Sequence, residues 1–264
     1  MFENKKEFKL ITKKNPKSLL PNALTIFGVC LGLSSIKFAL DANYGMAIIA
    51  IGFAAILDTL DGRVARLIKG TSKIGKELDS LTDVISFGVA PGFIIYFWTL
   101  NEIGKFGWMF VLIYTVCCAL RLARFNLMIT EENETWKINF FEGVPSPAAA
   151  GLVLLPLILS LSGIVQFENY TVLSSIAILT TSILMVSKIP TYSLKRILIP
   201  RHLAIFLLLG IGVYVSLLIF YTFETLFFSG LIYIFLIPIS YFHYRRKNKT
   251  SLIANSEEET EDVL

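Results

Sequence analysis

The sequence holds only two histidines, His202 and His243, and three cysteines, Cys30, Cys117 and Cys118. The cysteines show none of the spacings that hold a metal or form a redox pair, and all three fall in apolar stretches. They read as small buried apolar residues. Each histidine stands alone at the edge of an apolar run, where a structural role is the expectation. Charge is scarce as well: charged residues make up 17% of the chain against 55% hydrophobic ones. With a mean hydropathy of +0.67, the chain is too apolar for an ordinary soluble domain. The basic N-terminus runs at Pro21 into a long apolar stretch with no small-residue cleavage site, so a retained first helix is expected and not a signal peptide. The net charge of +4 is not gathered into one patch, because the basic residues flank apolar segments. Nucleic acid is therefore not an expected partner.

What is present is a series of apolar blocks, each about 17 to 25 residues long, the length of a helix that crosses a bilayer with its backbone hydrogen bonds satisfied internally. The expected fold is all-α, a polytopic membrane protein of about eight transmembrane helices, of which the first six form the core on the resemblance set out below. The spans are predicted near 22–40, 44–60, 81–100, 107–123, 147–163, 171–186, 203–221 and 225–241. Residues 1–20 form a basic arm suited to an anionic membrane surface. Residues 21–201 form the core, 202–244 two additional spans, and 245–264 a tail whose acidic run lacks apolar periodicity and is expected to be disordered. Of the 24 Lys and Arg residues, all but Lys37 and Lys105 fall on the side of the membrane that holds both termini. That side is expected to be cytoplasmic.

Between the second and third apolar blocks lies the stretch Asp58-Thr-Leu-Asp-Gly-Arg-Val-Ala-Arg66, then eight residues, then Gly75-Lys-Glu-Leu-Asp-Ser-Leu-Thr-Asp83. Four carboxylates, Asp58, Asp61, Asp79 and Asp83, border a hydrocarbon phase in which an uncompensated charge costs several kcal/mol or about that order. Helical spacings of three and four put each pair on one face, so the two pairs can converge across a helix hairpin. Clustered hard oxygens suit Mg²⁺ or Mn²⁺ better than a soft metal.

This spacing resembles the signature of the CDP-alcohol phosphatidyltransferases, and every fixed position is met: Asp58, Asp61, Gly62, Ala65, Arg66, Gly75, Asp79 and Asp83. The resemblance implies a membrane enzyme in which Asp58, Asp61, Asp79 and Asp83 hold Mg²⁺ or Mn²⁺, two ions in all, and Asp83 is also the general base. It implies CDP-diacylglycerol as the donor substrate, contacted by Asp58, Gly62, Ala65, Arg66 and Gly75, with Lys73 a weaker candidate. The lipid bilayer is a partner on this reading, and a homodimer is implied. Small residues at Gly62 and Ala65 suit close approach of a nucleotide to the backbone, although tight helix packing is the competing explanation for either alone.

Further segments resemble the phosphatidylserine synthase branch of that family: Ser86-Phe-Gly-Val-Ala-Pro-Gly92, Arg121-Leu-Ala-Arg-Phe-Asn126, Phe141-Glu-Gly-Val-Pro-Ser-Pro147 and Lys188-Ile-Pro-Thr-Tyr-Ser-Leu-Lys195. The likeness covers roughly the first six spans and marks 21–201 as the catalytic core. It implies L-serine as acceptor. Arg121 and Arg124, three apart, can face one cavity and fork onto a carboxylate; Asn126 can add a hydrogen bond or merely cap a helix. Glycerol 3-phosphate or an inositol compound is the alternative acceptor, since the same arginines can bind a phosphate. A divalent-cation transporter is the alternative of another class, because intramembrane carboxylates also mark ion pathways. Against it, the later helices carry no polar path onward. A prenyl-diphosphate transferase would be expected to carry two separated Asp-rich clusters, and here there is one hairpin.

Overall fold

The computed structural model describes residues 19–68, 73–128, 140–192 and 204–261. Most of the basic arm and Tyr192-flanking residues such as Ser193 and Lys195 lie outside these ranges. The described chain is almost wholly helical. α1 runs Leu19–Leu40, α2 Tyr44–Leu67 and α3 Lys73–Asp83. A π-helical stretch, Val84–Val89, joins α3 to α4, Ala90–Trp98. α5 spans Lys105–Met128, α6 Ser146–Ser162, α7 Tyr170–Val186, α8 Ala204–Phe220 and α9 Thr222–Glu261. Five described helices are long and apolar enough to cross a membrane: Leu19–Leu40, Tyr44–Leu67, Ile74–Trp98, Lys105–Leu127 and Thr222–Arg246. Three apolar helices of 17 residues, α6, α7 and α8, accompany them. The protein is an all-α membrane protein, in keeping with the pattern of apolar blocks.

Charges end a hydrophobic block, but they do not end a helix. α2 continues seven residues past the expected boundary at Leu60, and α3 begins eight before Leu81. Arg, Lys, Glu, Ala and Leu are all good helix formers, so the backbone carries the aspartates on two continuous rods. The same residue types continue past the last apolar block, and α9 runs to Glu261. Propagating a helix that is already nucleated is far easier than starting one, and the tail is rich in residues that tolerate it.

α1 and α2 form the most extensive helix pair. α1 buries a stripe of small residues, Pro21, Thr25, Gly28, Gly32, Ser35 and Ala39, which lets backbones approach closely in the absence of a hydrophobic drive. The approach is tightest at Gly32, where a Cβ would sit 2.5 Å from Ser86 Oγ; Ser86 in turn donates to the Gly28 carbonyl. Pro91 explains another contact. It has no N–H to give the carbonyl four residues back, at Phe87, and in an apolar surrounding that oxygen needs a donor. The Tyr114 hydroxyl of α5 supplies one at 2.7 Å.

A short antiparallel ribbon pairs β1, Phe140–Glu142, with β2, Pro190–Tyr192. Gly143 follows β1 at φ +73°, where a Cβ would come within 2.6 Å of the Met185 carbonyl. Its N–H donates to Ile189 and its carbonyl accepts from Thr191. The turn is thus sewn to the end of α7, and it delivers Ser146 to the start of α6.

Candidate functional site

The carboxylates of Asp58, Asp61 and Asp79 converge, with one oxygen from each lying within 4.8 Å of the others. Asp58 and Asp61 come from the last turns of α2, and Asp79 from α3 across the hairpin. Asp61 is 4% exposed. The Thr25 hydroxyl of α1 fixes it by donating to Oδ2 at 2.7 Å. The Asp83 carboxyl, one turn beyond Asp79, touches that of Asp58, while its Oδ1 is buried and makes no hydrogen bond. Hence three carboxylates meet at one point, and the fourth, Asp83, adjoins them through Asp58. Such crowding of like charge is relieved by bound cations or by protonation, and hard oxygens with an unpartnered buried acceptor among them fit a divalent ion.

Arg121 reaches this region from α5. It is 7% exposed, and one guanidinium nitrogen donates to Ser146 Oγ at 2.7 Å. Its Nε is buried without a partner, and it lies within electrostatic reach of Asp83. Arg124, one turn further, points elsewhere: its guanidinium donates to the carbonyls of Val186 and Ser187 at 2.9 and 3.1 Å, capping α7. Asn126 donates to Ser80 Oγ at 2.9 Å and so ties α5 to α3.

Gly62, Ala65 and Arg66 lie in the last two turns of α2. A Cβ built on Gly62 would meet nothing within 4 Å, so packing within the chain does not demand the glycine. Arg63, Arg66 and Leu67 border an open hollow beside it. Gly75 is half-buried in the first turn of α3. The Lys73 side chain falls outside the described residues.

A family model described as CDP-alcohol phosphatidyltransferase matches residues 18–191, from the start of α1 into β2. The chain belongs to that family. Among curated CDP-diacylglycerol–serine O-phosphatidyltransferases, the one from Mycobacterium leprae is 41% identical over 187 residues, 70% of this chain and 62% of the relative. That from Helicobacter pylori is 40% identical over 183 residues, 69% of this chain and 76% of the relative. That from Bacillus subtilis is 35% identical over 177 residues, 67% of this chain and 92% of the relative. The match spans a little under two thirds of the length of the mycobacterial relatives. α8 and α9 lie beyond the residues that the CDP-alcohol phosphatidyltransferase model matches.

Two residues of this family member's site carried no motif signal. Thr25 orders Asp61 from another helix, and its trace in the sequence is a lone hydroxyl on a stripe of small residues at helical spacing. Ser146 orders Arg121; it lies inside a segment that marks the family branch, but nothing local tells it from a helix cap.

Proposed function

We propose that this chain transfers the phosphatidyl group of CDP-diacylglycerol to L-serine, giving phosphatidylserine and CMP. The observation that carries the reading is a buried cation with an unpartnered N–H, Arg121, within electrostatic reach of Asp83, a carboxylate able to take a proton. An amino acid whose carboxylate meets Arg121 brings its hydroxyl toward Asp83. The names of the relatives support serine. Asp83 takes the hydroxyl proton as the serine oxygen attacks the phosphorus attached to diacylglycerol; a new O–P bond forms, the bond to the cytidylyl phosphate breaks, and CMP leaves. Two divalent ions, Mg²⁺ or Mn²⁺, held by Asp58, Asp61, Asp79 and Asp83, would offset the charge on the diphosphate and on the departing phosphate. Arg121 orients the acceptor, and Arg124 and Asn126 hold the frame that positions Arg121 and α3. Arg66 and Gly75 belong, on this reading, to the CDP-lipid side.

The positive-inside bias supports a site opening to the cytoplasm, with both termini on that side of the cell membrane. A homodimer is part of the reading and rests on the family; a monomer by sedimentation in detergent would remove it.

The decisive assay is CMP release from CDP-diacylglycerol by the purified protein, with L-serine, glycerol 3-phosphate and inositol phosphate compared as acceptors. Serine-dependent release that EDTA stops supports the whole proposal. Release with another acceptor overturns serine, and release with none returns the cation transporter to consideration.

Gly62→Ala separates nucleotide contact from helix packing. Alanine should stabilise the exposed last turn of α2 by about 0.5–1 kcal/mol, since no neighbour obstructs it. The KM for CDP-diacylglycerol is nonetheless expected to rise about tenfold, because the methyl stands where the nucleotide approaches. An unchanged KM would remove Gly62 from the donor site.

A further inference from the structure

α9 lies outside the stretch that the family model covers, yet it packs against α6 and against β2 at the site. The residues Phe223, Leu226, Gly230, Tyr233, Ile237 and Ser240 recur at helical spacing and form its inward face. The contact with α6 is close, since a Cβ on Gly230 would stand 2.4 Å from Leu155 Cδ1. One turn on, this face presents Tyr233. Its hydroxyl is buried, lies beside Thr191 and within electrostatic reach of Arg121, and is satisfied by no hydrogen bond of good geometry. The Thr191 hydroxyl is already donating to the Gly143 carbonyl.

Arg121 Nε, from α5, is buried without a partner, and so are Asp83 Oδ1 from the end of α3 and the Tyr233 hydroxyl from α9, both of whose side chains lie within electrostatic reach of that guanidinium. Native proteins rarely leave buried polar groups unpaired, and where they do so together a ligand that pairs them is the economical explanation. A tyrosine hydroxyl and a guanidinium within reach of one another can both donate to an anion, the pattern that binds a carboxylate.

We propose that Tyr233 is a specificity-determining residue of the acceptor pocket, donating its hydroxyl hydrogen to the acceptor's carboxylate next to Arg121. The inference rests on the proposed use of an amino-acid acceptor, and it gives α9 a part in choosing that acceptor. The hydroxyl does not enter the bond-making step.

The test is Tyr233→Phe in the full-length protein, which keeps the ring and its packing. The KM for L-serine is expected to rise about tenfold, the loss of about 1.4 kcal/mol at one hydrogen bond, while the KM for CDP-diacylglycerol and the thermal midpoint stay within error of the parent. A second reading is inhibition by L-alanine, which keeps the carboxylate and lacks the hydroxyl; its inhibition constant should rise by the same factor. An unchanged serine KM overturns the proposal, as does a rise in both KM values together or a lowered thermal midpoint, either of which marks a structural tyrosine. If the parent protein itself releases no CMP with serine, the proposed activity fails, and this inference fails with it.

Discussion

Asp83→Asn is expected to lower serine-dependent CMP release by about a thousandfold, the range that one positioned proton acceptor supplies. Asparagine matches the volume of aspartate but cannot accept a proton at its nitrogen. The side chain remains beside Asp58 and Arg121, so the fold should survive. Asp58→Asn, Asp61→Asn and Asp79→Asn are expected to lose activity for a different reason, by weakening the cation site. Titration of Mg²⁺ or Mn²⁺ separates the two effects. Raised cation should recover part of the turnover in the Asp58, Asp61 and Asp79 variants, whereas Asp83→Asn should stay inactive at saturation. Parental turnover in any one variant removes that residue from the mechanism, and recovery of Asp83→Asn by cation alone would make it a ligand only.

Arg121→Ala should raise the KM for L-serine about a hundredfold and leave that for CDP-diacylglycerol within about threefold. A hydrogen bond to a charged partner is worth about 1.5–3 kcal/mol when that partner is otherwise desolvated, equivalent to about 10- to 150-fold in binding. Truncation also strands Ser146 and leaves Asp83 without its neighbouring cation, so Arg121→Lys is the needed companion. Lysine keeps the charge and loses the fork, and its serine KM should fall between those of the parent and the alanine variant. Equal losses for both substrates would move Arg121 to the lipid side.

The two aspartate pairs and their convergence were legible in the sequence because helical periodicity and membrane cost act locally: a carboxylate three or four residues from another, beside an apolar block, has few other meanings. The eight apolar blocks were legible for the same reason. Helix ends were not, since hydropathy registers where the membrane stops and not where i to i−4 bonding stops; α2 therefore runs on through Arg66. The contrast between Arg121 and Arg124 was also invisible. They share a helix face by spacing, but the partner that captures Arg124 is the end of α7, about sixty residues away, and only folding brings its carbonyls there. Thr25, Ser146 and Tyr233 belong to the same class of contact, made between helices distant in the chain.

The π-helical stretch at Val84–Val89 sets a constraint on chain length that follows from its angular phase. Each residue of a regular α-helix advances about 100° around the axis, and this stretch holds a wider turn in which the Ala90 N–H reaches back five residues to Ile85. Asp79 and Asp83 are thus keyed to one azimuth, and Phe87, Ile94 and Ile95 to another. Dropping one residue there would let the backbone relax into an unbroken α-helix with the two halves still in phase, because a turn closed by a five-residue reach already holds one residue more than an α-turn. Tightening the turn with every residue kept would instead swing the acidic half by roughly a quarter of a revolution against the apolar half. The wide turn between Asp83 and Pro91 is therefore as much a part of the site as the identity of its residues, since it sets the azimuth from which the two aspartates face their partners.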